Sequence, residues 1–411
     1  MTILKQGGVF MRKLCIASII VVFICMVIPM GVRAAETPIK VGAVINLTGP
    51  ASTWGQYHAK GHRDYFNYVN EDKKGVAGKL IDLTIVDHAY KVPEGIKYVK
   101  KFCTLDKMDM IATWDAGTGI SIKPMIQRYR VPTINYSTFQ GLWKPPIDYM
   151  YLPFGSYILD SHAVLEYILT IHKGKDPPKV GLLTYNNTYG KSIHDPSKEY
   201  AAKHNVNIVA IEEFPTKSVD LTTELLRLQK AGAEYIFVQI LPAHIVIALK
   251  GADQIGFKVP FFGTWTATDP DFFPLGKGLI RDRLFMQFSG GLPVDNVPGV
   301  KLMMDLGKRY RTVKGFDTSY WEGVVVAMIM ERAFQRAHEK FKKITGETIN
   351  KAMESFKDED FGGIVPKVSY TKYNHEGSFI ARIVQIHEDA TYTPMTNFFF
   401  PGKGEIKVLK K

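Results

Sequence analysis

The stretch Ile39-Lys40-Val41-Gly42-Ala43-Val44-Ile45-Asn46-Leu47-Thr48-Gly49-Pro50 decides the fold. Ile39–Asn46 is an apolar strand, Thr48-Gly49-Pro50 is a turn, and a helix follows from about Gly55 to Asp72 with Ala59, His62, Tyr65, Phe66 and Val69 on one face. The same unit recurs downstream. Leu80–Asp87 reads as a strand, Pro93 opens a helix, Met110–Thr113 is a short buried strand, and a helix through Met125 precedes Val131–Asn135. Repeated βα units predict a parallel sheet with helices on both faces.

The pattern restarts after Pro153. Val180–Tyr185, Asn207–Ile211 and Tyr235–Gln239 read as strands, separated by helices at Gly190–His204 and Leu221–Ala231, with a further helix after Pro242. Phe261-Phe262-Gly263 follows, and Leu284–Phe288 reads as a crossing back to the first lobe. Helices are expected at Val300–Arg311, Ser319–Phe341 and Thr348–Phe356, and late strands at Gly362–Tyr370 and Phe379–Ile386. The expected architecture is α/β: two doubly wound parallel-sheet lobes joined by a hinge of several crossings. Residues 35–154 with 290–365 form the N-terminal lobe, and 155–289 with 366–411 the C-terminal lobe. A chain of 411 residues exceeds what one core usually organises, which agrees with two lobes.

Residues 1–34 read as a cleaved secretory signal, with a basic start at Met11-Arg12-Lys13, an apolar run from Leu14 to Val32, and small residues before cleavage after Ala34. A retained membrane anchor fits less well because of the small-residue site. Lipidation at Cys25 is disfavoured by the bulky Ile24 before it. The signal takes Cys15 and Cys25 with it, leaving Cys103 alone and no internal disulfide. It also removes four basic residues and no acid, so the formal charge falls from +12 to +8. That residual charge mildly favours an anionic ligand or an anionic membrane nearby. Basic residues are scattered without an aromatic stripe, so nucleic-acid binding is not expected.

Ligands of open parallel sheets bind beyond the carboxyl ends of the strands. That rule selects the loops Thr48–Gly55, Asp87–Pro93, Trp114–Gly119, Tyr136–Phe139, Tyr185–Gly190, Ile240–His244 and Gly263–Asp269. They carry Trp54, Tyr90, Trp114, Tyr136, Tyr189 and Trp265. Three of the chain's five Trp therefore fall on cleft loops, which argues for a role beyond packing.

The run Ile39-Lys40-Val41-Gly42, Leu47-Thr48-Gly49-Pro50 and Trp54-Gly55 resembles the start of periplasmic binding proteins of the leucine/isoleucine/valine-binding type. The resemblance continues through Asp87 and Pro93, Val131-Pro132-Thr133-Ile134, Tyr185 with Tyr189-Gly190, and Phe262-Gly263. It implies a type I periplasmic-binding fold that delivers a solute to the permease subunits of an ATP-binding-cassette importer, as a monomer and without cofactor, metal or catalysis. The family's ligand contacts fall on Trp54, on Trp114, Asp115, Ala116, Gly117 and Thr118, on Ser137, Thr138 and Phe139, and on Tyr189, Leu241 and Trp265; Tyr90 joins them from its loop. Ala116 and Phe139 stand where amino-acid-binding members place hydroxyls, although Gly117 and Thr118 offer backbone N–H groups and one hydroxyl at a helix N-terminus. Trp265 stands where an acid pairs with the ligand ammonium. An unpaired buried cation there would cost about 3–5 kcal/mol, so the resemblance with these departures implies a bulky or aromatic carboxylate ahead of a free amino acid. A one-residue shift in these loops would make Asp115 or Asp269 the replacement acid. The family's first-lobe disulfide is also missing, with Tyr90 and Asp115 near its positions.

Catalytic and metal readings are weaker. Ser192, His194 and Asp195 crowd one helical turn, which cannot give a nucleophile–base geometry, and solvent-facing polarity explains them better. His58 and His62 share a helix face without an evident third ligand. Gly75-Val76-Ala77-Gly78 lacks the Lys-Ser/Thr of a phosphate loop. Asn46-Leu47-Thr48 and Asn186-Asn187-Thr188 match a glycosylation pattern but lie in cleft turns, where local backbone bonding is the better explanation. A ligand-sensing receptor module would use the same cleft, as would a binder of branched-chain amino acids or amides.

Overall fold

The structure is a computed structural model that describes residues 37–143 and 148–409. The expected signal at 1–34, with Cys15 and Cys25, lies outside the described residues. Strand β1 (Ile39–Ile45) leads into helix α1 (Ser52–Asp72), followed by β2 (Ile81–Asp87), α2 (Val92–Lys101), β3 (Met110–Thr113), α3 (Ala116–Tyr129), β4 (Thr133–Asn135) and β5 (Met150–Tyr151). These strands make one parallel sheet in the order β2-β1-β3-β4-β5. All but Lys40 of β1 are buried, because helices cover both faces, and apart from that residue its sequence is accordingly an apolar run instead of an alternation.

The second half runs α4 (Tyr157–Ile171), β6 (Lys179–Tyr185), α5 (Thr188–Lys191), α6 (His194–His204), β7 (Asn207–Phe214), α7 (Thr222–Lys230), β8 (Tyr235–Gln239), α8 (Pro242–Gln254), β9 (Phe261–Gly263), α9 (Phe272–Gly276) and β10 (Leu284–Phe288). After α10 (Pro298–Arg309), α11 (Thr318–Phe341) and α12 (Gly346–Met353), the chain ends with β11 (Arg382–Ile386) and β12 (Tyr392–Pro394). The second sheet has the order β12-β11-β10-β9-β8-β6-β7, with only β11 antiparallel to its neighbours. In each sheet the direction of growth reverses beside the first strand, β1 or β6, which opens a crevice at the carboxyl ends.

Helix α11 returns to lie along α1. The close approach depends on Gly61 and Gly323, since a Cβ on Gly323 would stand 2.1 Å from the His58 carbonyl oxygen and one on Gly61 2.4 Å from that of Tyr320. A smaller core of Val44, Val99, Phe102, Ile111, Ile122 and Ile126 fills the other face of the first sheet beneath α2 and α3. Cys103 is buried in that core as a free thiol, pushed up to about 11 by burial.

Three expectations need correction. Leu284–Phe288 is strand β10, paired with β9 and β11 inside the second sheet; the crossing comes after it. The helix expected over Gly190–His204 is broken into α5 and α6. Pro196 has no N–H for the Ser192 carbonyl four residues back, so the helix restarts with proline in its first turn, and the freed carbonyl instead accepts the Gln140 side chain at 2.9 Å. Gly362–Tyr370 is not a strand. Gly362 and Gly363 both have positive φ, 68° and 74°, and only an isolated bridge joins Glu359 to Val368.

Candidate functional site

A small cavity lies where the carboxyl ends of the two sheets meet. The first sheet contributes Tyr90 after β2, Trp114, Asp115 and Ala116 after β3, and Tyr136 and Ser137 after β4; the second half contributes Tyr157, Tyr189, Leu241, Trp265 and Thr266. No Lys or Arg lines it, and Asp115 is its one acid.

The corner at Asp115 is built by helix α3. Asp115 is the N-cap: its Oδ1 accepts the Thr118 N–H at 2.7 Å and its backbone carbonyl the Gly119 N–H at 3.0 Å. The Thr118 N–H, expected to meet a ligand, is therefore spent inside the protein, while the N–H groups of Ala116 and Gly117 have no intrahelical partner. Asp115 Oδ2 is buried without a hydrogen bond, 3.6 Å from Nδ1 of fully buried His88. Burial holds His88 below the ordinary histidine range, against the pull of Asp115 and Asp87.

Aromatic rings shape the rest. Ala89 and Tyr90 both adopt positive φ, 50° and 58°, and the Tyr90 ring meets Trp114 edge-on at 5.6 Å. Strained backbone of this kind costs of order 1–3 kcal/mol per residue and is held by its surroundings. Burial raises the Tyr90 hydroxyl far above the ordinary tyrosine range, and the Asn187 side chain from the opposite half opposes that rise. The loop without a disulfide is thus tied by a ring contact and by the His88–Asp115 approach. Tyr136 is fixed from beneath: its hydroxyl lies 2.8 Å from His62 Nε2. Burial, aided by Arg63, drives His62 down to about 3, so the ring is neutral in this hydrogen bond. His58 stands beside it, 2.9 Å from Glu322 Oε2. Burial lowers the histidine and raises the acid, so this contact is a neutral hydrogen bond. His58 and His62 thus serve packing and hydrogen bonding, and no metal-holding cluster occurs among the described residues.

Of the residues expected at the site, Tyr90, Trp114, Asp115, Ala116, Ser137, Tyr189, Leu241 and Trp265 line the cavity together. Trp54 does not. It packs behind them, with ring centroids 5.9 Å from Trp114 and 5.5 Å from Trp265, and donates Nε1–H to the Thr268 carbonyl at 3.1 Å. Gly117 packs against Val92, Thr118 is buried under α2 near Gly95, Phe139 packs into the core, and Thr138 uses its carbonyl to receive the Tyr157 N–H. Asp269 is outside the lining too: it accepts the Phe272 N–H at 2.8 Å, and burial raises it to about 7. Ser192 is buried, contrary to a solvent-facing role, and donates to the Tyr189 carbonyl. Asn46 and Asn187 bond local backbone, to Ala51 O and Gly190 N.

Tyr157 and Thr266 also line the cavity; the sequence reading missed Tyr157 and selected the loop of Thr266 without singling that residue out. Tyr157 opens α4 just after the crossing from β5, outside every strand-end loop, and its hydroxyl lies 3.3 Å from Ser137 Oγ. Thr266 adjoins Trp265 and meets the Tyr189 hydroxyl at 2.6 Å, so its neighbour was the available signal.

A cleft between two doubly wound sheets, entered from their carboxyl ends, defines a class of two-lobed binding proteins. The chain belongs to the periplasmic binding protein family, whose model matches residues 38–391. It is 22% identical over 238 residues to Leu/Ile/Val-binding protein homolog 7 of Brucella suis, a match covering 56% of this chain and 58% of that relative. The chain therefore spans little more than half the length of that curated relative. Among solved structures it is similar to a branched-chain amino acid ABC transporter protein from Thermus thermophilus with bound valine, at a TM-score of 0.83 and 26% identity over 90% of this chain and 98% of that one. A fatty acid ABC transporter substrate-binding protein from Thermomonospora curvata shares the fold at a TM-score of 0.81 and 20% identity, over 90% and 94% of the two chains. Among the described residues no helix is long and apolar enough to cross a membrane.

Proposed function

We propose that this chain is the periplasmic solute-binding component of an ABC importer, a monomer exported by the signal at residues 1–34 that captures a compact organic ligand and carries out no catalysis. Its lobes comprise 35–154 with 290–365 and 155–289 with 366–411. The observation that carries the reading is the cavity itself: six Tyr and Trp rings and a single charged side chain, Asp115, face one another between the two sheets. The room left between them is small, which favours a compact molecule over a long acyl chain. Rings on both walls suit a flat or apolar body. The N–H groups of Ala116 and Gly117 suit a carboxylate or other acceptor, which supports an aromatic or other bulky organic acid.

Asp115 supports a second reading. Its unpartnered Oδ2 beside those N–H groups would hold an ammonium next to a carboxylate, as an apolar α-amino acid presents them. The similar structure from Thermus thermophilus with bound valine agrees with this alternative. Thermal-shift titration with benzoate, phenylacetate, phenylalanine, leucine and valine separates the two. Stabilisation by the acids lacking an amine supports the first; stabilisation by leucine and valine alone rejects it.

A further inference from the structure

We propose that the segment after β9 latches onto the heads of α1 and α11, making Thr53 and Trp54 positioning residues that hold the cleft closed with or without a ligand. Three hydrogen bonds carry the latch. Trp54 Nε1–H donates to the Thr268 carbonyl at 3.1 Å, the Thr318 hydroxyl donates to the same oxygen at 2.9 Å, and the Thr53 hydroxyl donates to Asp271 Oδ2 at 2.8 Å. On the opposite flank Gln140 reaches the Ser192 carbonyl at 2.9 Å. Each bond joins a residue of the first-sheet side to one of the second, and none of these partners lines the cavity.

The Thr53–Asp271 bond lies at the exposed surface, so the core does not need it. Trp54 is 1% exposed because Trp265 and the backbone at Thr268 cover it. Opening the cleft would strip that cover from the indole and break its bond, a cost paid without any ligand being present. The latched segment also carries Trp265 and Thr266 into the cavity wall, so the latch presents the second wall in its binding position. A ligand meeting a chain that is already partly closed loses less affinity to the conformational change, because its apparent Kd is the intrinsic value divided by the closed fraction.

The test uses the mature chain, unfolded and refolded to remove co-purified small molecules, with nitroxide labels at Lys97→Cys and Val219→Cys. Both positions are exposed, and buried Cys103 stays unlabelled. Pulsed electron resonance on the ligand-free chain is expected to show a short-distance population at least comparable to the long one. Thr53→Ala should move that ratio toward the long distance by roughly 3- to 10-fold, and Trp54→Phe, which keeps the ring and loses the N–H, should do the same. A single long distance in the ligand-free chain, or an unchanged distribution in both variants, overturns the latch. Thr53→Ala keeps the test decisive should Trp54→Phe fold poorly. The inference rests on the two-lobed closing reading and is separable from it. If the released small-molecule extract shortens the distance while neither variant alters the ligand-free ratio, binding by closure stands and the latch falls.

Discussion

The two walls of the cavity are built differently. The first-sheet wall holds the charge and rests on buried polar contacts: Asp115 caps α3, His88 stands behind it, and Tyr136 leans on His62. The second wall is neutral, made of Tyr157, Tyr189, Leu241, Trp265 and Thr266, and its side-chain bonds run between hydroxyls. On the proposed function, this difference would give recognition of the ligand's polar head to the first wall and coverage of its body to the second.

The strongest attack on this division is Trp265→Ala. Losing a central buried ring should weaken binding by about 2–4 kcal/mol, while the fold, carried by the sheets, keeps its circular dichroism. Isothermal titration with the co-purifying ligand checks it, and unchanged affinity would remove the second wall from the site. Asp115→Asn comes next, because Asn still caps the helix and the stability loss stays small. A ligand that donates to Oδ2 should lose about 1.5–3 kcal/mol, whereas a simple carboxylate should bind more tightly once the neighbouring negative charge is gone. The sign of that change tells which chemistry the first wall reads.

A pH effect probes the seam where the latched segment meets α11. Burial raises Asp269 to about 7 and Asp317 to about 6, far above the ordinary aspartate value. On these two groups the folded chain holds protons that the unfolded chain releases, so their contribution to stability grows as pH falls from about 7.5 toward 5. The buried His58, His62 and His88 work in the opposite sense over the same window, because burial holds them below the ordinary histidine range and the unfolded chain takes up protons there first. The seam is isolated by comparison: Asp269→Asn, which mimics the protonated acid, should raise the ligand-free melting temperature by a few degrees more at pH 7.5 than at pH 5, and an equal change at both would contradict it. The smallest effect is expected from Tyr189→Phe, which removes one partner of the Thr266 contact and should cost about 0.5–1.5 kcal/mol of affinity.

The sheets were legible because each strand and its following helix carry their own signal: β1 is apolar except at Lys40, and Pro93 and Pro242 sit in first helical turns. The strand-end rule brought Tyr90, Trp114 and Trp265 into one cavity for the same reason, since it needs only the order of elements. What stayed hidden depends on contacts distant in sequence. Trp54 reads as a ligand contact until its bond to Thr268 is seen, 214 residues away. The role of Asp115 was obscured because a cap and a ligand contact draw on the same residue type. Tyr157 was missed because it belongs to a crossing segment and to no repeated unit.

On the proposed function, a compact ligand is enclosed between a charged wall and an aromatic one. Native mass spectrometry of the mature protein, before and after unfolding, is the sharpest check. One small organic molecule per folded wild-type chain is expected, released on unfolding and absent from Trp265→Ala. Retention of the same molecule by Trp265→Ala, or release of a long-chain lipid, would contradict it.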